Sequence, residues 1–163
     1  LLRQFGSSFR HVTPQLLLNA MVYGGTFERN PTLTVMVAEL GVGWLPFFVN
    51  EIDDRISPTA QLFLGGWKHP LKPSEYLKRN VRATPLAGGN DSPLDRIMAD
   101  LPEDMLVFSS DFPHFEGFTD PQGHYADLFR KIGPAQRDRF LGGNTLALYE
   151  RLGDPLPAAK VVA

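Results

Sequence analysis

The sequence predicts an α/β fold with parallel strands, and three observations carry that prediction. Apolar runs of strand length stand at residues 32–39, 81–85 and 105–110. Segments of helical spacing, several with helix-start signals, alternate with them in the order α-β-α-β-α-β-α. Such alternation implies parallel strands joined by right-handed helical crossovers. Two of the runs also end on a carboxylate, Glu39 and Asp111. The carboxyl end of a strand, with its following loop, is where parallel α/β folds bind ligands.

Each element has its own signal. Residues 13–29, "TPQLLLNAMVYGGTFER", read as a helix with Thr13 as N-cap and Pro14 at the first helical position. Leu17, Ala20 and Met21 recur at helical spacing, and Gly24-Gly25 ends the regular part. "TLTVMVAE" (32–39) is β-branched and almost wholly apolar, the pattern of a strand covered on both faces. Gly41 and Gly43 form the turn into a second helix around Trp44 to Ile56. Residues 57–72 are mixed, with "GGWKHP" marking loop. "SEYLKRN" from Ser74 predicts a short capped helix, and "VRATP" a short strand. "GGND" is a turn, and "SPLDRIMADLP" a helix with Ser92 as cap and Pro93 after it. The strand at 105–110 leads into a polar loop, 111–122, and a helix at 124–132. "GPAQRDRFLGG" and "NTLALYERLG" are two further helical stretches, and "DPLPAAKVVA" is a tail.

Composition bounds the function. The 163 residues amount to one domain, 43% hydrophobic and 21% charged, with a net charge of −2. Lys and Arg are scattered, which argues against nucleic acid or an anionic membrane as partner. With no cysteine, disulfides and thiolate metal sites are excluded, so any metal needs His, Asp or Glu. No run reaches the roughly 18 apolar residues of a membrane span, and no signal-peptide core is written, so a cytoplasmic location is the expectation. The opening "LLRQFGSSFR" lacks Met and reads as the interior of a longer, processed or truncated polypeptide.

The stretch "MLVFSSDFPHFEG" (105–117) carries the chemistry. A carboxylate at a strand end can ligate a divalent cation and accept a proton from a bound water. Asp111 and Glu39 both stand there, and the alternative for each is to cap the following turn or helix. Pro113 stiffens the loop that brings His114 and Glu116. His114 could hydrogen-bond a substrate or orient a neighbouring ligand, or be a structural loop histidine. His11 reads as a cap or packing residue. His69 and His124 read as surface residues, and Trp44, Trp67 and the twelve Phe as core or interface. No HxH or HExxH pair occurs, so a complete metal site is not written here.

"VFSSDFPHFEG", followed by "FLGGNTLALYERLG", resembles the closing section of the amidohydrolase-related family, metal-dependent (β/α)8 barrels that include non-oxidative decarboxylases. "GGTFERNPTLTVMVAELGVGWLP" is similar to that family's sixth-strand region, and "PSEYLKRNVRATP" to its approach to the seventh. The resemblance spans roughly residues 13–150. It implies the C-terminal part of a TIM barrel, about strands six to eight, over residues 1–152, with 153–163 as a tail. It implies Asp111 as the eighth-strand aspartate that binds a divalent metal, Zn²⁺ by expectation, and handles the catalytic proton. Glu39 falls where many relatives carry a His, a departure that does not support His chemistry there. His114 matches a loop position beside metal or substrate. Asp111, His114 and Glu39 are thus the candidate catalytic residues. The family's HxH pair and fifth-strand His would lie upstream of residue 13.

Part of a barrel leaves strand edges and apolar faces open. The expected partners are therefore a small-molecule substrate and either an N-terminal barrel half or further copies of the chain, with no nucleic acid and no membrane. The expected function is hydrolysis or non-oxidative decarboxylation of a small carbonyl or aromatic acid. The alternative is a non-catalytic truncated barrel subunit serving as an assembly module.

Overall fold

The computed structural model describes residues 5–6, 8–86, 93–115 and 117–156. The expected "GGND" turn, the Ser92 cap, Glu116 and most of the tail lie outside the described residues. The first long helix, α1, spans Val12–Tyr23 and buries Leu18 and Val22. It starts before the expected Thr13 cap, with His11 as the flanking residue. It ends as expected at the glycine pair, where Gly24 N–H donates to Ala20 O at 2.9 Å and Gly25 adopts φ 69°. A Cβ on Gly25 would stand 2.7 Å from Cε1 of His69, so this turn needs glycine for space as well as for dihedral. A single turn, α2 (Thr26–Arg29), then leads to β1 (Val35–Val37).

Helix α3 (Leu45–Glu51) continues as a 3-10 turn over Ile52–Ile56, and α4 (Pro58–Leu64) follows in the stretch expected to be mixed. Ser57 starts α4, its Oγ accepting from Ala60 N–H at 3.3 Å. Helix α5 (Pro73–Asn80) runs directly into β2 (Val81–Ala83). Ser74 is not its cap. It lies inside the first turn, where its N–H and Oγ both donate to Asp53 at 2.8 Å. A carboxylate from the preceding 3-10 turn, favoured at a helix N-terminus, has taken that role. After α6 (Leu94–Ala99) and the 105–110 segment come α7 (Pro121–His124) and α8 (Ala126–Lys131). Then α9 (Pro134–Asp138), a π-helical turn (Arg139–Gly143) and α10 (Asn144–Arg151) follow without a break.

β1 and β2 pair in parallel, with Val35, Met36 and Val37 opposite Val81, Arg82 and Ala83. Beyond β2 the chain at 105–107 runs parallel to it through a bridge at Leu106. Ala83 N–H donates to Met105 O, and Val107 N–H to Ala83 O, both at 2.9 Å. The expected order of three parallel strands holds, but all three are shorter than their apolar runs. At 105–110 the ladder with β2 stops after the Val107 N–H to Ala83 O bond, because the next residue in register, Pro85, has no N–H to donate. On the far edge Asn144 Nδ2 donates to Glu103 O and Leu106 O, and Phe108 N–H donates to Phe140 O. A buried side chain and the π-helical turn satisfy groups that a further strand would otherwise take. Nor is β1 covered on both faces, since Met36 is 39% exposed while Val37 is buried.

The core lies between this sheet and the helices, built from Leu18, Phe27, Leu45, Tyr76, Leu77 and Val81. A second aromatic group joins Phe108, Tyr125 and Phe140, with ring centroids 5.3–6.0 Å apart. Burying each large apolar side chain contributes about 1.5–3 kcal/mol, against ~0–1 kcal/mol for an exposed ion pair such as Arg55–Glu51. Packing, not surface charge, holds the fold. Phe47, Phe63, Phe112 and Phe115 stand outside this core, each more than two-thirds exposed. No helix among the described residues is long and apolar enough to cross a membrane.

Candidate metal centre

The parallel sheet directs its strand ends to one side, and there the chain gathers its carboxylates. Glu39 follows β1 and Asp111 follows the 105–110 segment. Both adopt left-handed backbone conformations, φ 60° and 58°. That region is uncommon for residues with a Cβ and costs on the order of 1 kcal/mol. Two such residues at the tips of two strands mark where local geometry is dictated by something other than propensity.

Short hydrogen-bonded loops hold them. Asp111 N–H donates to Ser109 Oγ and Phe112 N–H to Ser110 Oγ, both at 3.3 Å. His114 N–H donates to Asp111 O at 2.8 Å, Gly117 N–H to His114 O at 3.0 Å, and Phe118 N–H to Ser110 O at 3.0 Å. The loop therefore closes back on the strand end. Gly117 permits this, because a Cβ there would lie 2.8 Å from Asp111 O and 2.9 Å from Ser110 O. On the other side, Glu39 N–H donates to Thr84 Oγ1 at 3.3 Å.

The result is one cluster. A ligand atom from each of Glu39, Asp111 and His114 lies within 4.8 Å of the other two. Nδ1 of His114 is 3.1 Å from Oδ1 of Asp111 and 3.9 Å from Oε1 of Glu39. The Asp111 side chain is 4% exposed, whereas those of His114 and Glu39 are about half exposed. Donors each about 2.1 Å from one ion stand roughly 3–3.5 Å apart, so Asp111 and His114 already have that separation and Glu39 is slightly wide. The donor set, two carboxylates and an imidazole, suits divalent cations such as Mn²⁺ or Zn²⁺. These residues fit a metal ion, and three donors leave further positions for other ligands.

The remaining histidines stay apart. His69 is half-buried rather than on the surface, its ring centroid 4.8 Å edge-on from that of Trp67. His124 is exposed but stacks on Phe118 at 3.7 Å. The sequence singles out the three clustered residues but not Thr84 or Gly117. Thr84 had a signal, since it closes the "VRAT" run at the same sheet end as the two acids.

The amidohydrolase family profile matches residues 10–151. The chain belongs to the amidohydrolase family. Among solved structures, an amidohydrolase from Mycobacterium avium subsp. paratuberculosis K-10 is 24% identical, with a TM-score of 0.64 over 80% of this chain and 32% of that one. A 5-carboxyvanillate decarboxylase from Sphingomonas paucimobilis is 23% identical, with a TM-score of 0.64 over 81% and 38%. A dihydroxybenzoic acid decarboxylase from Polaromonas sp. JS666, with bound manganese and the inhibitor 2-nitroresorcinol, is 23% identical, with a TM-score of 0.61 over 83% and 39%. No curated protein sequence matches the chain. This amidohydrolase chain thus spans 32–39% of the length of these structures. Its fold is the expected one, part of a (β/α)8 barrel.

Proposed function

We propose that this chain supplies one side of a divalent-metal active site for hydrolysis or non-oxidative decarboxylation of a small carbonyl or aromatic acid. The observation that carries the proposal is the meeting of Glu39, Asp111 and His114 around a carboxylate withdrawn from solvent. Family membership supports the reaction class, and the two decarboxylases among the similar structures favour an aromatic acid.

Asp111 would hold the ion, with Zn²⁺ the first candidate and Mn²⁺ the next. A bound divalent ion supplies Lewis acidity, lowering the pKa of water or polarising a substrate oxygen. The chain's own residues do the rest. The buried Asp111 takes and returns a proton at its carboxylate, with its backbone fixed by the Ser109 hydroxyl. His114, anchored on one side by Asp111 and exposed on the other, orients the substrate at the rim. Glu39 adds negative charge that favours a cation and disfavours an unliganded anion in the site.

The further ligands and the rest of the wall would come from residues beyond those described, on an N-terminal barrel half or on another copy. In support, Leu62, Phe63 and Leu64 form an exposed apolar run, 81%, 83% and 66% accessible. The test is reconstitution with the complementary barrel residues, followed by assay of CO₂ release from hydroxylated benzoic acids and of hydrolysis of their esters. Turnover that disappears in Asp111→Asn supports the proposal. Turnover unchanged in that variant contradicts it.

A further inference from the structure

The cluster joins two strand ends that are not neighbours. β2 lies between β1 and the 105–107 segment, and at about 4.8 Å per strand the outer two are roughly 10 Å apart. Nevertheless, Oε1 of Glu39 comes within 3.9 Å of His114 Nδ1. The two side chains reach toward each other over the end of β2, and the Glu39 backbone itself lies against that end. The residue standing at that end is Thr84.

Thr84 is 7% exposed and ties the two strand ends together. Its N–H donates to Val37 O at 3.0 Å, extending the β1–β2 ladder by one step. Its hydroxyl accepts from the N–H of Glu39 at 3.3 Å. Packing at this position needs only a β-branched side chain, which valine would equally supply. The hydroxyl serves the next residue over, and that residue is one of two non-glycine residues with positive φ among those described. A left-handed backbone persists only where its surroundings over-determine it.

We propose that Thr84 is a positioning residue. Its hydroxyl holds the Glu39 backbone in the left-handed turn that carries the carboxylate over β2 to the Asp111–His114 pair. The functional meaning of this hold rests on reading the cluster as a metal centre, but the hold itself does not.

Thr84→Val removes the acceptor with little change of shape, and Thr84→Ser retains it. Amide hydrogen exchange at Glu39, followed by NMR on the metal-free chain, reads the hold directly. Exchange should quicken about tenfold in Thr84→Val and stay near wild type in Thr84→Ser. Mn²⁺ affinity, read by electron paramagnetic resonance, should weaken about tenfold in Thr84→Val, within the range for groups that orient metal ligands, and recover in Thr84→Ser. Unchanged Glu39 exchange in Thr84→Val overturns the proposal whatever the metal does. Faster exchange with undiminished Mn²⁺ affinity also overturns it, since the hydroxyl would then serve only the fold. A wild-type chain that takes up no Mn²⁺ sinks the metal reading alone, and the exchange result still decides whether Thr84 holds Glu39.

Discussion

Nδ1 of His114 stands 3.1 Å from Oδ1 of Asp111, one side chain half exposed and the other almost fully withdrawn from water. The loop that joins them is closed by its own backbone, His114 N–H donating to Asp111 O. The same short loop therefore carries both the withdrawn acid and the half-exposed imidazole. The asymmetry in burial separates their expected behaviour under mutation.

Glu39→Gln and His114→Asn should each weaken divalent-metal binding by roughly 10- to 100-fold. Both side chains are about half exposed. Glu39→Gln should change the unfolding free energy by no more than about 0.5 kcal/mol, and His114→Asn by more, because it disturbs the partner of the buried Asp111 carboxylate. In the metal-free chain Glu39→Gln relieves repulsion with Asp111 and should melt no lower than wild type. Paired metal titrations and thermal melts check both halves.

Gly117→Ala should destabilise the chain by about 1–3 kcal/mol, the usual cost of forcing a methyl group into occupied space. The neighbours it meets are the backbone oxygens of Ser110 and Asp111, which cannot rotate away. Metal affinity should fall along with stability, because the displaced carbonyl belongs to Asp111 itself. Urea denaturation and a metal titration on the same variant measure the two effects.

Asn144→Ala should cost roughly 2–3 kcal/mol, from two carbonyls left without their donor. The side chain is 4% exposed and serves both Glu103 O and Leu106 O. A urea midpoint lowered accordingly, with faster amide exchange at Val107, is the expected outcome.

Tyr23 gives a pH prediction. Burial pushes its phenol up to about 12, with Arg55 nearby pulling it down and Asp53 and Glu51 pushing it up. Because the folded value lies above the ordinary value of 10, this contribution to stability is intact below pH 10. It is lost as pH rises through the folded value, the unfolded chain giving up its proton first. Wild type should therefore lose stability between pH 10 and 12, and Tyr23→Phe should lose less over that interval. Denaturation curves across the range, with phenolate absorbance followed in parallel, provide the check.

Much of this was legible in the sequence because it is local. Gly24-Gly25 ends α1 with Gly25 in a left-handed turn that glycine favours, and strand-end carboxylates declare themselves by following an apolar run. What was not legible depends on partners distant in the chain. The far edge of the 105–110 run is closed by Asn144, some forty residues on. Ser74 loses the capping role to Asp53, twenty-one residues earlier. Met36 fits an apolar run but faces outward, because apolar composition reports what a strand can bury and not what stands beside it. Thr84 was passed over for the same reason, since its hydroxyl matters only once β1 lies alongside β2.

The most direct test of the metal centre is equilibrium dialysis of the metal-stripped chain against Zn²⁺ or Mn²⁺, with bound ion counted by elemental analysis. The account predicts one ion per chain for wild type, lost in Asp111→Asn although that variant remains folded. No stoichiometric ion on the wild-type chain, or equal uptake by Asp111→Asn, would contradict it.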